Sequence, residues 1–251
     1  MESKSNSLRR AAAIAVIAGL LTFISLGAIM AVSGGIVKPA TFPNEAGFTQ
    51  AIFWFEMAES SEEVMAALGD PATETGQRIR DAMDATHRVD FFFMVCYSAF
   101  SASLFLLIYR LSAKGGTPLP RGIFPAGIIF CCAALLGDIL ETRKLLELSA
   151  LTDPVALDRA IPSLVAWTRI KSGSLSAAGI LLAFSYGRYF RFRFPGALIP
   201  LFFGAGAIIG GVAISFRGMR FLIEPAGTLG MVAWLMALVH AAILWRSAGR
   251  S

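Results

Sequence analysis

Long apolar runs dominate the pattern of this chain, and polar positions gather in the shorter connections between them. Six stretches are each long enough to cross the roughly 30 Å hydrocarbon core of a bilayer as helices that rise about 1.5 Å per residue. They lie near residues 11–33, 90–110, 122–142, 166–187, 195–216 and 222–245. The pattern therefore predicts an all-α fold: a polytopic membrane helical bundle of six transmembrane helices in a single membrane domain.

The first apolar run also resembles a secretory signal, because it follows a polar, basic segment and ends at the small residues Ala31 to Ser33. A signal core is usually about 7–15 residues long, however, whereas this run covers 11–32. Its length favours a retained first transmembrane helix over a cleaved leader.

The connection 34–89 is the one large extramembrane segment, and it contains two helical patterns. Ser60 and Glu63 have the spacing of a capping box, which predicts a short helix that ends at Gly69. A second helix is expected to begin near Thr75 and to continue without a break into the second span. The apolar side chains that precede the short helix are Phe48, Ile52, Phe53 and Phe55. They predict a surface that lies on the bilayer or on the bundle, so that the segment forms a small helical extracytoplasmic cap.

Basic residues are divided unevenly between the two sides that six spans would create. One side, which holds both termini, carries eleven basic residues and a single acid, Glu2. The basic residues are Lys4, Arg9, Arg10, Arg110, Lys114, Arg121, Arg188, Arg191, Arg193, Arg246 and Arg250. The other side carries the remaining eleven basic and sixteen acidic residues. Because cytoplasmic loops carry the excess of Lys and Arg, we expect both termini in the cytoplasm and the protein in an inner (plasma) membrane.

Composition agrees with this assignment and narrows the class of protein. Of the 251 residues, 56% are hydrophobic and 16% are charged, against about 25% charged in an ordinary soluble domain. These values exclude a disordered chain and argue against a soluble globular enzyme. The net charge of +5 is explained by the membrane topology, so we expect no nucleic-acid partner.

Ionisable residues inside apolar helices are the strongest candidates for chemistry, because each costs about 2.5–3.5 kcal/mol at the bilayer centre. In this chain they gather near the outer ends of the spans. On the second span His87 and Asp90 are three residues apart, and Tyr97 continues their stripe. On the third span Asp138 and Glu141 share one face. The predicted pocket at the outer mouth therefore consists of His87, Asp90, Tyr97, Asp138, Glu141, Arg169 and Lys171.

Two interpretations of these charges stay open at the level of sequence. In the structural interpretation the charged residues form ion pairs that hold helix ends together. Arg217 and Arg220 in their short turn fit this interpretation best. In the functional one Asp138, Glu141 and Lys171 form a site for a ligand or a proton. Two close carboxylates could share a proton, whereas a nearby Lys171 would keep both ionised.

Histidines are too few and too far apart for the common metal and haem sites. His87 lies on the outer side and His240 near the inner end of the last span, so they cannot ligate one ion. We therefore expect no metal and no cofactor, with a carboxylate-only site at Asp90, Asp138 and Glu141 as the remaining alternative. His87 is expected on a helix surface, and His240 is expected to hydrogen-bond inside the bundle.

Small residues on the fifth span permit close helix contact. Gly206 and Gly210 form a GxxxG pattern, which could act within the bundle or between protomers of a homo- or hetero-oligomer.

The leading functional hypothesis is a non-enzymatic membrane protein whose outward-facing charged pocket binds a lipid or another anionic amphiphile, alone or as an accessory subunit of a larger complex. One alternative is a membrane-embedded enzyme for a lipid-linked substrate, with Asp138 or Glu141 as the base and Lys171 or Arg169 stabilising an anion. A second alternative is an ion- or proton-coupled transporter that uses Asp90, Asp138 and Glu141.

Overall fold

A computed structural model describes residues 2–34, 37–114, 118–191 and 194–247, and 83% of the chain is helical. Within those ranges no strand occurs, so the predicted all-α class is confirmed. The helices are α1 (Glu2–Val32), α2 (Ala51–Glu56), α3 (Ser61–Leu68), α4 (Glu74–Lys114), α5 (Ile123–Ala150), α6 (Pro154–Phe190), α7 (Leu198–Ser215), a 3-10 helix (Arg217–Leu222) and α8 (Ile223–Ser247). Two of the basic residues assigned to the cytoplasmic side, Arg193 and Arg250, lie outside the described residues.

Five helical segments are long and apolar enough to cross a membrane, which indicates an integral membrane protein. They are Asn6–Val32, Glu74–Lys114, Ile123–Ala150, Leu198–Ser215 and Arg217–Ser247. The predicted fourth span falls in α6, which is 37 residues long but is not among them. Its middle carries Arg169 and Lys171 and many serines and glycines, so the segment is less apolar than its neighbours.

Large apolar side chains point away from the bundle on several of these helices. Ile129 of α5, Ile208 of α7 and Ile243 of α8 are each at least 60% exposed. Exposed apolar surface of this extent is not stable in water and is typical of a lipid-facing surface.

The short helix α3 begins and ends as its sequence predicts. The Ser60 side chain accepts a hydrogen bond from the Glu63 backbone N–H at 3.3 Å. The Glu63 carboxylate reaches back to the backbone N–H of Glu59 at 2.7 Å, one residue earlier than in a standard capping box. Gly69 ends the helix at φ = 82°, a left-handed conformation that glycine adopts without a steric cost. α4 then runs unbroken from Glu74, as predicted from Thr75.

The aromatic segment that contains α2 packs on the bundle. Phe48 and Phe55 are fully buried in a cluster with Leu148 of α5 and Leu157 of α6. Of the two predicted locations, the bundle is therefore the correct one for these side chains. Glu224 at the start of α8 accepts hydrogen bonds from the backbone N–H groups of Thr49 and Gln50, which ties the start of α2 to α8.

The GxxxG face of α7 is occupied within the chain. A Cβ atom on Gly206 would lie 3.2 Å from the Ala226 carbonyl oxygen and 3.3 Å from the Gly230 nitrogen, both in α8. A Cβ atom on Gly210 would lie 3.3 Å from the Ser176 hydroxyl of α6. These glycines let three helices of one chain approach closely, and assembly with other chains stays a prediction.

Candidate functional site

Charged side chains concentrate at one end of the bundle, which we call the α2–α3 end. It is formed by α2 and α3, the start of α4, the end of α5, the start of α6 and the 3-10 helix. Two groups of charges lie there, and they differ in burial and in pairing. One surrounds Lys171, and the other surrounds Arg169 and Arg217.

Lys171 lies in a buried cluster with carboxylates from two other helices. Its Nζ is 3.0 Å from an oxygen of Glu56 in α2 and 3.5 Å from an oxygen of Asp138 in α5. It also contacts the Glu141 carboxylate directly. The Lys171 side chain is 12% exposed and that of Glu141 is 0% exposed. We refer to Lys171, Glu56, Asp138 and Glu141 as the Lys171 cluster.

A glycine on α5 places this cluster. A Cβ atom on Gly137 would lie only 2.8 Å from the Lys171 backbone nitrogen and 3.1 Å from its Cα. Real Cβ atoms do not approach this closely, so α5 and α6 can cross here only because the residue is glycine. The crossing brings the carboxylates of Asp138 and Glu141 to the ammonium group of Lys171.

α4 adds further polar groups beside the cluster. The Tyr97 hydroxyl donates a hydrogen bond to Asp138 at 2.7 Å, and the Thr142 hydroxyl donates one to Asp90 at 3.4 Å. His87 is 1% exposed and packs against the Phe55 ring at 6.0 Å between centroids. The prediction of a surface histidine is therefore wrong, because α2 and its aromatic side chains cover this face of α4. Neither His87 nitrogen has a hydrogen-bond partner in the described part of the chain.

Pairing in the Lys171 cluster occupies the ammonium with groups of the protein itself. Three carboxylates lie within 3.5 Å of it, and little of the Lys171 side chain is exposed. Glu141 has one oxygen on Lys171, whereas its other oxygen, Oε1, has no partner among the described residues. A buried lysine in this setting anchors α2, α5 and α6 to one another.

Arg220 forms a second internal lock. Its guanidinium donates to both Glu63 oxygens, at 2.9 and 2.6 Å, and to the Met57 carbonyl. Burial alone would raise the pKa of Glu63. Hydrogen bonds from Arg220 and from the Glu59 backbone lower it, and so do the positive charges of Arg220 and Arg217; together these effects are larger than the effect of burial. They hold the pKa of Glu63 below its ordinary value of 4.5. This pair joins the 3-10 helix to α3.

Arg169 and Arg217 are arranged differently, because both side chains are largely exposed. Their exposed fractions are 61% and 67%, and both approach one carboxylate, that of Glu59, at 3.7 and 3.1 Å. They border a cavity of about 280 Å³ between α2, α6 and the end of α7. Its other lining residues include Glu56, Val165, Thr168 and Ile214. We call this space the arginine cavity.

Arginines outnumber acids among the residues that line the arginine cavity. Arg220 is paired with Glu63, and Glu56 is paired with Lys171. Arg169 and Arg217 then share Glu59, and Arg217 also lies 3.8 Å from Glu63. A guanidinium has five N–H donors, and a shared carboxylate leaves most of them free.

Sequence reasoning grouped Arg169 with Lys171, and the structure separates them. The two residues are two positions apart on α6, so their side chains leave the helix in different directions. The sequence did not identify the carboxylates that pair with these residues, which are Glu59 for Arg169 and Glu56 for Lys171. Glu56 was recognisable as the single ionisable residue in the otherwise uncharged stretch 46–58, but its distance along the chain from Lys171 hid the pairing.

Metal ligation has no geometric support within the described ranges, where no three His, Cys, Asp or Glu side chains lie close enough together to hold an ion. No protein-family model, curated protein or solved structure matches this chain. The functional argument therefore depends on the geometry of the two charged groups.

Proposed function

We propose that this protein is an integral protein of the inner (plasma) membrane that binds the headgroup of an anionic lipid, or of another anionic amphiphile, in the arginine cavity. This keeps the predicted ligand class and Arg169, and replaces the other residues of the predicted pocket with Arg217. The observation that carries the proposal is the pair of exposed guanidinium groups that line one cavity and share the carboxylate of Glu59.

The proposed topology has six spans, with α6 as the fourth and both termini in the cytoplasm. Its support is that α6 packs along α5 and α7 over its length, and that 37 helical residues extend about 55 Å. In that arrangement the serines, glycines and Lys171 of α6 face other helices rather than lipid. The basic residues then collect on one side, and α2 and α3 form an extracytoplasmic cap.

The chemistry of the cavity favours a phosphodiester headgroup over a neutral one. A phosphodiester carries one negative charge, and guanidinium groups bind phosphate oxygens through paired N–H donors. Val165 and Ile214 supply apolar surface beside these donors, where the glycerol and the first methylenes of an acyl chain would lie. An accessory role in a larger membrane complex is compatible with such a site.

The enzyme alternative uses Asp138 or Glu141 as the base, with Lys171 or Arg169 stabilising an anion. The transporter alternative holds its ion at Asp90, Asp138 and Glu141. Both require a carboxylate of the Lys171 cluster to turn from the ammonium to an outside partner. The close pairing of Lys171 with these carboxylates and the burial of Glu141 therefore favour lipid binding at the neighbouring cavity.

Native mass spectrometry of the full-length protein with phosphatidylglycerol and phosphatidylcholine tests the proposal. The double variant R169Q/R217Q is expected to lose about tenfold or more in phosphatidylglycerol retention, because each charged hydrogen bond contributes about 1.5 kcal/mol or more. Phosphatidylcholine retention should change much less. The matched control R121Q removes an exposed arginine at the opposite end of the bundle, before the start of α5, and should leave both values unchanged.

A second variant separates binding from damage to the fold. E59Q removes the carboxylate that Arg169 and Arg217 share, so a negative charge leaves the cavity and phosphatidylglycerol retention should increase. Equal retention by the wild type, R169Q/R217Q and E59Q would show that the cavity binds no anion.

A further inference from the structure

A second open space lies at the opposite end of the bundle. It is a groove of about 840 Å³ between the end of α6, the start of α7 and the second half of α8. Apolar side chains form most of its wall, among them Ile199, Leu235, Val239 and Ile243. Its volume is in the range of sites that hold a ligand of several hundred daltons.

His240 is one of the polar residues that line this groove, together with Tyr189 and Arg191. Its ring is surrounded by Tyr186, Tyr189 and Phe190, with centroids 5.8, 6.2 and 5.0 Å away. Nδ1 is buried among them and has no hydrogen-bond partner in the described ranges. The expected hydrogen bond inside the bundle is therefore not formed by this nitrogen. A buried unpaired acceptor is tolerated better than a buried unpaired N–H, so we place the proton on Nε2.

Arg191 supplies a cation at the mouth of the groove. It follows the last residue of α6 and is exposed. His240 lies seven residues before the end of α8, which is a depth of about 10 Å along the helix. A ligand that contacts both residues therefore needs a charged group at the interface and a hydrogen-bond acceptor somewhat deeper.

We propose that this groove binds an anionic glycerophospholipid of the leaflet on that side, with its phosphate at Arg191 and an ester carbonyl accepting a hydrogen bond from Nε2 of His240. One acyl chain then lies along Leu235, Val239 and Ile243. Glycerophospholipids have this order of groups, because their ester carbonyls lie between the phosphate and the acyl chains. The site is separate from the arginine cavity and does not depend on it.

The test compares two lipids that differ only in the carbonyl. Phosphatidylglycerol with two ester-linked oleoyl chains and its diether analogue, which lacks both carbonyls, are offered to the full-length protein in native mass spectrometry. The R169Q/R217Q background removes the proposed contribution of the arginine cavity. We expect the diester to be retained about fivefold better, the value of one hydrogen bond of about 1 kcal/mol.

Variants of the groove give the result that supports or overturns the assignment. H240F should bind both lipids equally, whereas H240Q, which keeps a donor, should still favour the diester. R191Q should weaken both lipids alike and leave their ratio unchanged. The assignment is wrong if wild-type His240 shows no preference for the diester, or if H240F keeps that preference. If R169Q/R217Q does not alter phosphatidylglycerol binding but the preference for the ester persists, the arginine-cavity proposal is wrong and the groove proposal stands.

Discussion

Lys171 and Arg217 carry the same charge at the same end of the bundle, yet the protein uses them in opposite ways. Lys171 is buried and surrounded by Glu56, Asp138 and Glu141, whereas Arg217 is 67% exposed and shares one carboxylate with Arg169. The comparison teaches that a buried charge in an apolar helix is not by itself a binding group. Whether a charged side chain can bind a ligand depends on how many partners the fold places around it.

The same comparison explains why we assign a structural role to the Lys171 cluster. Removing a charge from water costs several kcal/mol, and only close partners offset this cost. Once three carboxylates have been placed, an incoming anion would have to displace one of them. The arginine cavity meets no such obstacle, because solvent already reaches both guanidinium groups.

The largest expected effect comes from removing the ammonium group of Lys171 from its buried cluster. K171M should lower the free energy of unfolding by about 3–5 kcal/mol, because it leaves Glu56, Asp138 and Glu141 without their cation in a buried site. Equilibrium unfolding in mixed micelles measures this change. K144M is the matched control, since Lys144 pairs with the exposed Glu147 alone among the described residues. This substitution should cost less than about 1 kcal/mol. Similar stability of the two variants would show that the cluster is not a structural anchor.

A smaller effect is expected from the glycine that creates the cluster. G137A should destabilise the protein by about 1–3 kcal/mol, because the added Cβ meets the Lys171 backbone and forces α5 and α6 apart. The control G211A adds a Cβ where no atom lies within 4 Å, so it should be neutral or slightly stabilising. Thermal unfolding of both proteins distinguishes these outcomes, and a neutral G137A would contradict the crossing geometry.

The smallest effect concerns the Arg220–Glu63 lock and appears as a pH dependence. The pKa of Glu63 is lower in the folded protein than its ordinary value of 4.5, so the folded state favours the carboxylate. The stabilisation is therefore present above pH 4.5 and is lost as the pH falls through the lowered value. E63Q should be less stable at neutral pH and should lack this part of the acid dependence.

Melting curves between pH 3 and pH 7 provide the measurement for this lock. E62Q changes the exposed neighbouring residue and should follow the wild-type curve. If E63Q and E62Q show the same acid dependence, the lock makes no measurable contribution.

Local signals in the sequence predicted the ends of α3 and the start of α4. Ser60 and Gly69 mark the ends of α3, and the start of α4 was predicted within one residue, because caps and stops depend on neighbouring residues. α6, in which the sequence predicts a fourth span, is not among the five candidate spans. It contains Arg169, Lys171 and many small polar residues whose burial depends on other helices.

The sequence by itself determined an all-helical, membrane-type chain whose ionisable residues gather at helix ends, because both properties follow from the length, hydropathy and spacing of residues along one chain. Only the tertiary structure decided which charges remain available. Glu56 reaches Lys171 across more than a hundred residues, and His87 is buried by a segment that precedes it by about thirty. Such pairings arise when helices cross at a glycine and cover one another. The spacing of residues within a single helix cannot predict them.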